Sequence, residues 1–332
     1  MKKLIREDGS VGFGLYQEPV DEINFQDYML LTPSGRTVPG VLKRLRYKTF
    51  HFMGVSGPGF MAGFAIVDLG YLASGFGYLY DVATHTLNEK SCLTLPLKQR
   101  VLIRPTPECP FSRFSQGALS MEMDHQGIRV DSGNLCADIT LVISGKDAPL
   151  RLCTRTGYTG WSFTRKSLPL SVEGTIKSKG RAYDLGRGES FALTDWTGGF
   201  LRRKTFWNWA AISTALGDGR TLGLNISWGV NETGFTENAF WINGSMEKVD
   251  MVCFSSTPDG SGDQWRITSF DGKVALDFTA EGSRGERINA GVIASSFTQY
   301  FGRFSGYLNP TQGDPVAIQG VPGWFEDHYA KW

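Results

Sequence analysis

The segment Ala239-Phe240-Trp241-Ile242-Asn243-Gly244 carries the strongest fold signal in the chain. Asn-Gly is a preferred pair at the centre of a two-residue β-turn, because both central positions need a positive φ. Strand-forming apolar residues precede the pair, and residues 246–254 continue the pattern after it. This stretch therefore predicts a β-hairpin.

Two further hairpins are predicted on either side of this one. The Gly-Asp-Gly-Arg turn at 217–220 separates two apolar segments, and Asp271-Gly272 separates two more. Together with the C-terminal segments, about eight strands fit into about 150 residues, which is typical of an up-and-down barrel or a sandwich. A closed barrel of about eight strands leaves room for one small ligand.

The first half of the chain carries weaker strand signals of the same kind. The sequence contains 41 glycines and 22 phenylalanines but few long helix-forming runs, so antiparallel strands with many turns are expected throughout. Residues 41–52 alternate apolar and polar side chains and predict one of these strands. We expect an all-β protein of two consecutive antiparallel β-barrel domains with little helix. They comprise residues 1–168 and 169–332 and meet near residues 165–180.

Charge and targeting signals argue against several functional classes. The chain has 34 basic and 33 acidic residues, a balance that does not favour nucleic acid or an anionic membrane as the main partner. No apolar run approaches the roughly 18 residues of a membrane-spanning helix, and no signal-peptide core follows the charged N-terminus. We expect a cytoplasmic protein with no integral membrane segment.

Cysteine and histidine spacings predict neither disulfides nor a metal site. The five cysteines are an odd number, widely spaced and without a Cys-x-x-Cys pair, so reduced thiols are expected. The four histidines lack metal-ligand spacing. No phosphate-binding loop or dinucleotide fingerprint lies on a strand–helix junction. We therefore expect no metal and no cofactor.

An unusual mixture of tryptophans and isolated charges occupies residues 195–209. It contains Asp195, Trp196, Trp207 and Trp209, with three consecutive basic residues between them. Such a mixture fits the wall of a ligand cavity, where aromatic surface is buried and a few polar groups orient the guest. The alternative is a β-corner with structural tryptophans and surface arginines.

The C-terminal strand carries a second set of candidates. Period-two alternation places Trp324, Glu326 and His328 on one face, so a carboxyl group and an imidazole share an aromatic wall. They could act as an acid–base pair, or they could simply face water on an edge strand. Asn225, on the polar face of its strand, and Glu237, before the next strand, are further candidates for ligand contact. Glu237 is equally compatible with a turn.

Seven motifs, in chain order, carry a family resemblance. They are Leu168-Pro169-Leu170-Ser171-Val172-Glu173-Gly174, Asp195-Trp196-Thr197, Thr205-Phe206-Trp207-Asn208-Trp209-Ala210, Gly223-Leu224-Asn225, Thr236-Glu237-Asn238-Ala239, Gln299-Tyr300-Phe301-Gly302-Arg303-Phe304-Ser305-Gly306 and Gly323-Trp324-Phe325-Glu326-Asp327-His328. From about residue 168 onward they resemble the bacterial family catalogued as domain of unknown function 2804. That family is similar to two-domain lipocalin-like proteins, among them AttH-type proteins, yeast survival-factor-type proteins and carotenoid 1,2-hydratases. The resemblance implies two consecutive lipocalin-like barrels and an affinity for apolar ligands, but no established activity and no catalytic residues.

Two functional hypotheses follow. In the first, a lipocalin-like cavity binds an apolar small molecule, a lipid or an isoprenoid, and the indoles of Trp196, Trp207, Trp209 and Trp324 contact it. In the second, the chain is a cofactor-independent hydratase or cyclase acting on an alkene or isoprenoid. Asp195, Glu326 and His328 are then the catalytic acids or bases, and indole faces stabilise a cation. A purely structural module would instead fill its barrels with its own side chains.

Two structural expectations bear on these hypotheses. The cluster around Asp195 is expected to pack against the C-terminal strand, with Trp196 or Trp207 near Trp324 or His328, because isolated charges are costly to bury without shared partners. A ligand cavity is expected in the second domain, lined by Trp and Phe with few polar groups, because eight of the nine tryptophans lie after the predicted junction.

Overall fold

The computed structural model describes residues 1–145, 148–230, 235–256, 263–291 and 293–332. Within these residues the helical segments are short, a 3₁₀ turn at Phe25–Asp27 and the helix α1 at Gly40–Arg46. Nearly all other regular structure is β-strand, arranged in two antiparallel sheets. The prediction of an all-β protein with little helix is confirmed.

In the described part of the chain, the first sheet contains fourteen strands. In chain order they are β1 (Gly14–Leu15), β2 (Lys48–Gly57), β3 (Phe60–Asp68), β4 (Ala73–Asp81), β5 (Thr86–Thr94), β6 (Val101–Ile103), β7 (Phe111–Gln116), β8 (Leu119–Asp124), β9 (Gly127–Asp131), β10 (Leu135–Val142), β11 (Leu150–Thr156), β12 (Gly160–Ser178), β13 (Arg181–Leu185) and β14 (Phe191–Gly199). Most of them follow one hydrogen-bonded path, β5-β4-β3-β2-β14-β12-β10-β9-β8-β7-β6, to which β1, β11 and β13 are attached.

Over the described residues, the second sheet contains nine strands. In chain order they are β15 (Lys204–Ala215), β16 (Thr221–Trp228), β17 (Ala239–Ile242), β18 (Ser245–Lys248), β19 (Val252–Ser256), β20 (Gln264–Ser269), β21 (Val274–Asn289), β22 (Ala294–Leu308) and β23 (Val316–Lys331). They pair in the order β18-β17-β16-β15-β23-β22-β21-β20-β19. The three hairpins predicted from turn residues join β15 to β16, β17 to β18 and β20 to β21. All three hairpins are confirmed, but residues 246–254, expected to continue the strand pattern after Asn243-Gly244, are divided between β18 and β19 at opposite edges of the sheet.

Both sheets are built on the same plan. In the first sheet, β2–β5 form one meander, β6–β10 form another that continues through β12 and β14, and the last strand β14 pairs with β2. In the second sheet, β15–β18 and β19–β23 repeat the arrangement, and β23 pairs with β15. Within the described ranges, β5 is not paired with β6, nor β18 with β19. Each sheet is therefore an open barrel.

The side chains of the chain itself fill the inside of each barrel. Phe64 and Phe114 belong to the buried core of the first sheet. In the second sheet the ring of Phe278 lies 4.6 Å from that of Phe304 and 5.6 Å from that of Phe325. Because side chains alternate between the faces of a strand, these inward residues leave their neighbours to form the outer face.

The outer faces of the two sheets pack against each other. Side chains buried at this contact include Tyr78 from β4 and Trp324 from β23. The hydroxyl of Tyr80 donates a hydrogen bond across it to the carbonyl of Glu281, at 2.8 Å. We call this contact the inter-sheet interface, and most of the predicted site residues lie at it.

The first sheet ends later in the sequence than residue 168, where the domain boundary was predicted. The strand β12 runs through the predicted junction, because Pro169 lies where its pairing with β14 shifts register and does not end the strand. The chain leaves the first sheet after Gly199 and enters the second at Lys204.

The strand predicted over residues 41–52 is wrong in its first part. Gly40–Arg46 form α1, and β2 begins only at Lys48. The pattern was ambiguous, since Leu42 and Leu45 are three residues apart and also fit one face of a helix.

Candidate functional site

Two strands of the second sheet bring predicted aromatic and ionisable residues together. The antiparallel pairing of β15 with β23 sets Trp207 opposite His328 and Trp209 opposite Glu326. The ring centroids of Trp207 and His328 are 4.2 Å apart. Residues opposite each other share a face, and here it is the face toward the first sheet. The predicted contact between the two segments is confirmed through Trp207 and His328.

Glu326 supplies the carboxyl group at the centre of this arrangement. It accepts hydrogen bonds from Nε2 of Gln299 at 2.6 Å and from Nε1 of Trp207 at 3.3 Å. Its neighbours remove most of its hydration, although a small part of the residue stays exposed. This desolvation raises the pKa of Glu326 to about 7, against the opposing effect of its hydrogen bonds and nearby cations. Both protonation states are therefore available near neutral pH, as a general acid or base requires.

His328 lies next to this carboxyl in an apolar setting. Its Nε2 is 3.1 Å from Oγ of Ser295, and its ring is 5.0 Å from that of Phe297. Its Nδ1 is buried and has no hydrogen-bond partner within the described ranges. Burial lowers the pKa of His328 to about 4, so the imidazole is neutral at physiological pH.

Four more buried polar atoms near Glu326 lack a hydrogen-bond partner among the residues that the structure describes. They are the hydroxyl of Tyr78, Oε1 of Gln299, Nε1 of Trp324 and Nη1 of Arg284. Burial raises the pKa of Tyr78 above its ordinary value. The Trp324 indole and the Gln299 amide lie close enough to oppose this shift, but neither meets hydrogen-bond geometry with the hydroxyl. Such a concentration of unpartnered polar atoms is uncommon in a folded protein.

Arg284 closes one side of the site. The centre of its guanidinium lies 4.5 Å from the ring of Phe76, 4.9 Å from that of Tyr78 and 5.3 Å from that of Phe297. Its Nε donates to Glu89 at 3.0 Å. Phe76 belongs to the first sheet and Phe297 to the second, so this cation stacks on aromatic rings from both.

A buried ion cluster lies beside the site. Lys166 on β12 is directly opposite Asp195 on β14; their side chains form an ion pair, and the ammonium is 3.7 Å from Glu237. Asp195 also accepts hydrogen bonds from Thr164 at 3.1 Å and from Thr197 at 2.8 Å. Burial acts to lower the pKa of Lys166, but the carboxylates outweigh it and the pKa is raised. Lys166 therefore stays charged and holds two acids together.

Hydrogen bonds connect the ion cluster with the aromatic residues. Nε1 of Trp209 donates to Asn225 at 2.8 Å, and the Asn225 amide donates to the carbonyl of Glu237 at 2.9 Å. The ring of Trp209 meets Phe52 of the first sheet edge-on, with centroids 6.1 Å apart. Four predicted site residues, including Asp195, thus belong to one buried network that joins the two sheets.

Trp196 is separate from the other candidates. It follows Asp195 on β14, so its side chain lies on the opposite face of the sheet. There it is buried in a cluster with Trp161 and Phe200, beneath the N-terminal segment. The structure therefore places it away from the inter-sheet interface.

Sequence reasoning missed several residues of the site. Asp195 indicated indirectly that a cation lies nearby, since a buried aspartate needs a cationic partner. The sequence did not identify Lys166 as that cation, because it does not reveal that β12 pairs with β14. Tyr78, Arg284 and Gln299 gave no signal as a group, because only the packing of the two sheets brings them together.

The cavities differ from the expected aromatic pocket. One cavity of about 660 Å³ opens at the second sheet; Arg220, Glu247 and Asp314 are among its lining residues, and none of its lining is tryptophan. A smaller one of about 290 Å³ lies near Ser295 and Tyr329. Neither cavity is lined by the candidate site residues.

The described part of the chain holds neither a metal-ligand cluster nor a membrane-spanning helix. No group of three or more His, Cys, Asp and Glu side chains there is arranged to hold a metal ion. Over the same residues, no helix combines the length and the apolar character needed to span a bilayer.

The fold and its interface define a two-domain, lipocalin-like β protein. Over residues 1–332 the chain matches, and therefore belongs to, the family described as Domain of unknown function (DUF2804). The resemblance noted from residue 168 onward is confirmed and extends through the N-terminal half. No curated protein matches the chain significantly.

Solved structures share the fold at low sequence identity. One is a protein assigned as AttH from Nitrosomonas europaea, with 14% identity, a TM-score of 0.53 and coverage of 86% of this chain and 92% of that one. CghA has 8% identity and a TM-score of 0.59, covering 100% of this chain and 97% of CghA. Kievitone hydratase from Nectria haematococca has 8% identity and a TM-score of 0.47, covering 86% and 88%. The first two confirm the prediction of a lipocalin-like fold.

Proposed function

We propose that the protein binds a small molecule with an apolar body and a polar head at the inter-sheet interface, beside Glu326. The observation that carries this proposal is the cluster of unpartnered buried polar atoms on Tyr78, Gln299, Trp324 and Arg284. Leaving such an atom unpaired costs about 1–3 kcal/mol, and the polar head of a ligand supplies the missing hydrogen bonds.

The apolar body of the ligand has a matching wall. Phe52, Phe76, Trp207 and Phe297 border the interface, and each is partly exposed. An aromatic wall with a few convergent polar groups is typical of a small-molecule site. The core residues Phe240 and Val316 help to line the cavity of about 660 Å³ at the second barrel, but the rest of that lining is mostly polar and includes none of the unpartnered atoms, so the interface is favoured for an apolar ligand.

Ligand extraction and a fluorescence titration test the proposal. Small molecules extracted from the purified protein are identified by mass spectrometry, and the stripped protein is titrated with farnesol, an isoprenoid alcohol. We expect a saturable change in tryptophan emission, because Trp207 borders the site. A folded protein that carries no apolar molecule and gives no saturable change with farnesol contradicts the proposal.

A matched pair of variants tests whether the fluorescence response to farnesol arises at the inter-sheet interface. Trp207→Phe removes the indole beside Glu326 and is expected to weaken farnesol binding several-fold. Trp265→Phe is the control, because Trp265 packs inside the second barrel, 4.4 Å from the ring of Phe325. Equal weakening in both variants would show that the response does not arise at the interface.

The second candidate function is acid-catalysed hydration or cyclisation of an alkene, and the environment of Glu326 favours it. A pKa of about 7 leaves protonated carboxyl available at neutral pH. The indoles of Trp207 and Trp324 lie close by and can stabilise a cation through their faces. In hydration, the Glu326 proton and the alkene π electrons form a new C–H bond. Water then attacks the cationic carbon and returns one proton to the carboxylate.

Isotope labelling separates this candidate from binding alone. The extracted ligand, or farnesol if none is extracted, is incubated in water labelled with heavy oxygen, and the label in the product is measured. Glu326→Gln is expected to abolish incorporation but not binding, while Glu122→Gln, on an exposed position of β8, serves as the control. Binding by the wild type without incorporation rejects hydration and leaves the binding proposal standing.

A further inference from the structure

One end of the first sheet gathers segments that are far apart in the sequence. Thr49 pairs with Asp68 across β2 and β3, and Ala73 pairs with both Asp68 and Thr94 across β3, β4 and β5. The start of β2, the β3–β4 turn and the end of β5 therefore lie side by side. Neighbouring strands are about 4.8 Å apart, so this end is roughly 15 Å across.

The helix α1 belongs to the same end. It leads directly into β2, and its last turn lies against Gly70 in the β3–β4 turn. The residues that follow β5 extend from the other side. We call this surface, formed by α1 and residues 93–100, the α1 end.

The α1 end exposes six large aliphatic side chains. They are between 39% and 76% exposed and are Val41, Leu42, Leu45, Leu93, Leu95 and Leu97. None of the residues of α1 is buried. A surface helix normally turns its apolar residues to the core, and clustered exposed apolar side chains mark an interaction surface.

The charge of the α1 end is positive. No Asp or Glu occurs in residues 28–67 or 90–107, whereas Arg46, Lys98 and Arg100 are exposed there. The acid at the end of β3, Asp68, is paired with Arg44 at 2.5 Å. Acidic residues elsewhere in the chain offset this local positive charge, so the charge of the whole chain is nearly balanced.

We propose that the α1 end docks on an anionic lipid bilayer. Exposed leucines beside cations suit the boundary between head groups and acyl chains, where the leucines enter the apolar layer and the cations meet lipid phosphates. The lack of acidic residues in both contributing segments matches a negatively charged surface. This proposal does not depend on a ligand at the inter-sheet interface.

Vesicle sedimentation with the full chain tests the proposal. Vesicles of phosphatidylcholine alone are compared with vesicles that also contain phosphatidylserine. We expect the protein to sediment with the anionic vesicles and to be released as salt screens the charges. Equal sedimentation with both vesicle types, or none with either, overturns the proposal.

Paired substitutions separate the apolar and the charged contributions. The double variants Leu45→Ser/Leu95→Ser and Arg46→Glu/Lys98→Glu are each expected to lower the bound fraction several-fold. All changes are at exposed positions, and circular dichroism verifies that the sheets persist.

The matched controls lie on the second sheet. Phe270→Ser removes an aromatic side chain that is 70% exposed, and Arg266→Glu reverses an exposed charge on β20. Both controls are expected to bind vesicles as the wild type does. Wild-type binding by the α1-end variants, or an equal loss in the controls, is the result that would refute docking through this end.

Discussion

Trp207 and His328 lie opposite each other on β15 and β23, with ring centroids 4.2 Å apart. The contact joins the tryptophan-rich segment that opens the second sheet to the strand that ends it. Glu326, one pleat away on β23, accepts a hydrogen bond from the same indole. The Trp207 indole therefore contacts both the His328 imidazole and the Glu326 carboxyl, and a substitution at Trp207 changes the surroundings of both.

The raised pKa of Glu326 predicts a loss of stability as pH rises. Its pKa is about 7 in the folded protein against 4.5 ordinarily, so the folded state binds the proton more tightly than the unfolded state. This stabilisation is complete below pH 4.5 and is lost as pH rises through 7. Relative to Glu326→Gln, the wild type should lose on the order of 1–3 kcal/mol between pH 4.5 and 8, measured by urea unfolding. Parallel pH profiles for the two proteins would contradict the assignment.

Lys166→Met should be strongly destabilising. It leaves Asp195 and Glu237 buried without their cation, and breaking a buried pair in this way costs about 3–5 kcal/mol. Lys177→Met is the matched control, because Lys177 is exposed on the same strand. Chemical unfolding measures both, and Asp195→Asn added to Lys166→Met should recover part of the loss. A cost below about 1 kcal/mol for Lys166→Met would show that the cluster is hydrated.

Gly63→Ala should disturb the candidate site without touching Glu326. A methyl group at Gly63 would collide with the ring of Tyr78, which is buried between the sheets. We expect a cost of roughly 1–3 kcal/mol from overpacking, and a weakened farnesol response. Gly217→Ala is the control, because a methyl group there meets open space. A Gly63→Ala protein with unchanged stability and farnesol response would mean that Tyr78 is free to move aside.

His328 should remain neutral through the physiological range. Burial lowers its pKa to about 4, so the folded state resists protonation and its stability falls as pH drops from 6.5 to 4. Nuclear magnetic resonance of the ring nitrogens should show a midpoint below 5, and His328→Gln identifies the resonance. A midpoint near 6.5 would instead place this imidazole in contact with bulk water.

Local turn chemistry made much of the second sheet predictable. Asn243-Gly244 and Asp271-Gly272 require a particular backbone, so the hairpins around them could be inferred without knowing any distant contact. The shared face of Glu326 and His328 followed from strand alternation in the same way. The predicted boundary at residue 168 falls inside β12, because Pro169 sits at a register shift in the pairing of β12 with β14 and does not end the strand.

Alternation tells which residues share a face, but not whether that face is inside or outside a barrel. The tryptophans were expected to line the inside of a barrel. Instead Trp209 and Trp324 belong to the outer face that meets the first sheet, and the phenylalanines fill the interior. Alternation does separate Trp196 from Asp195, because adjacent residues of a strand face opposite sides of the sheet, but it could not tell which of the two faces meets the second sheet. The partner of Asp195 was hidden because Lys166 comes from β12, whose pairing with β14 depends on the whole first sheet.

The shared plan of the two sheets has a consequence for the origin of the chain. In the first barrel β14 pairs with β2, and in the second β23 pairs with β15, so the two meanders of each barrel meet at equivalent positions. Duplication of one ancestral barrel, with the copies joined through residues 200–203, would yield the order that the two sheets share, with β1, β11 and β13 as additions to the first copy. On that descent the inter-sheet interface would derive from the contact between two identical subunits. Tyr78 on one side and Glu326 on the other would then be differences that arose after the duplication.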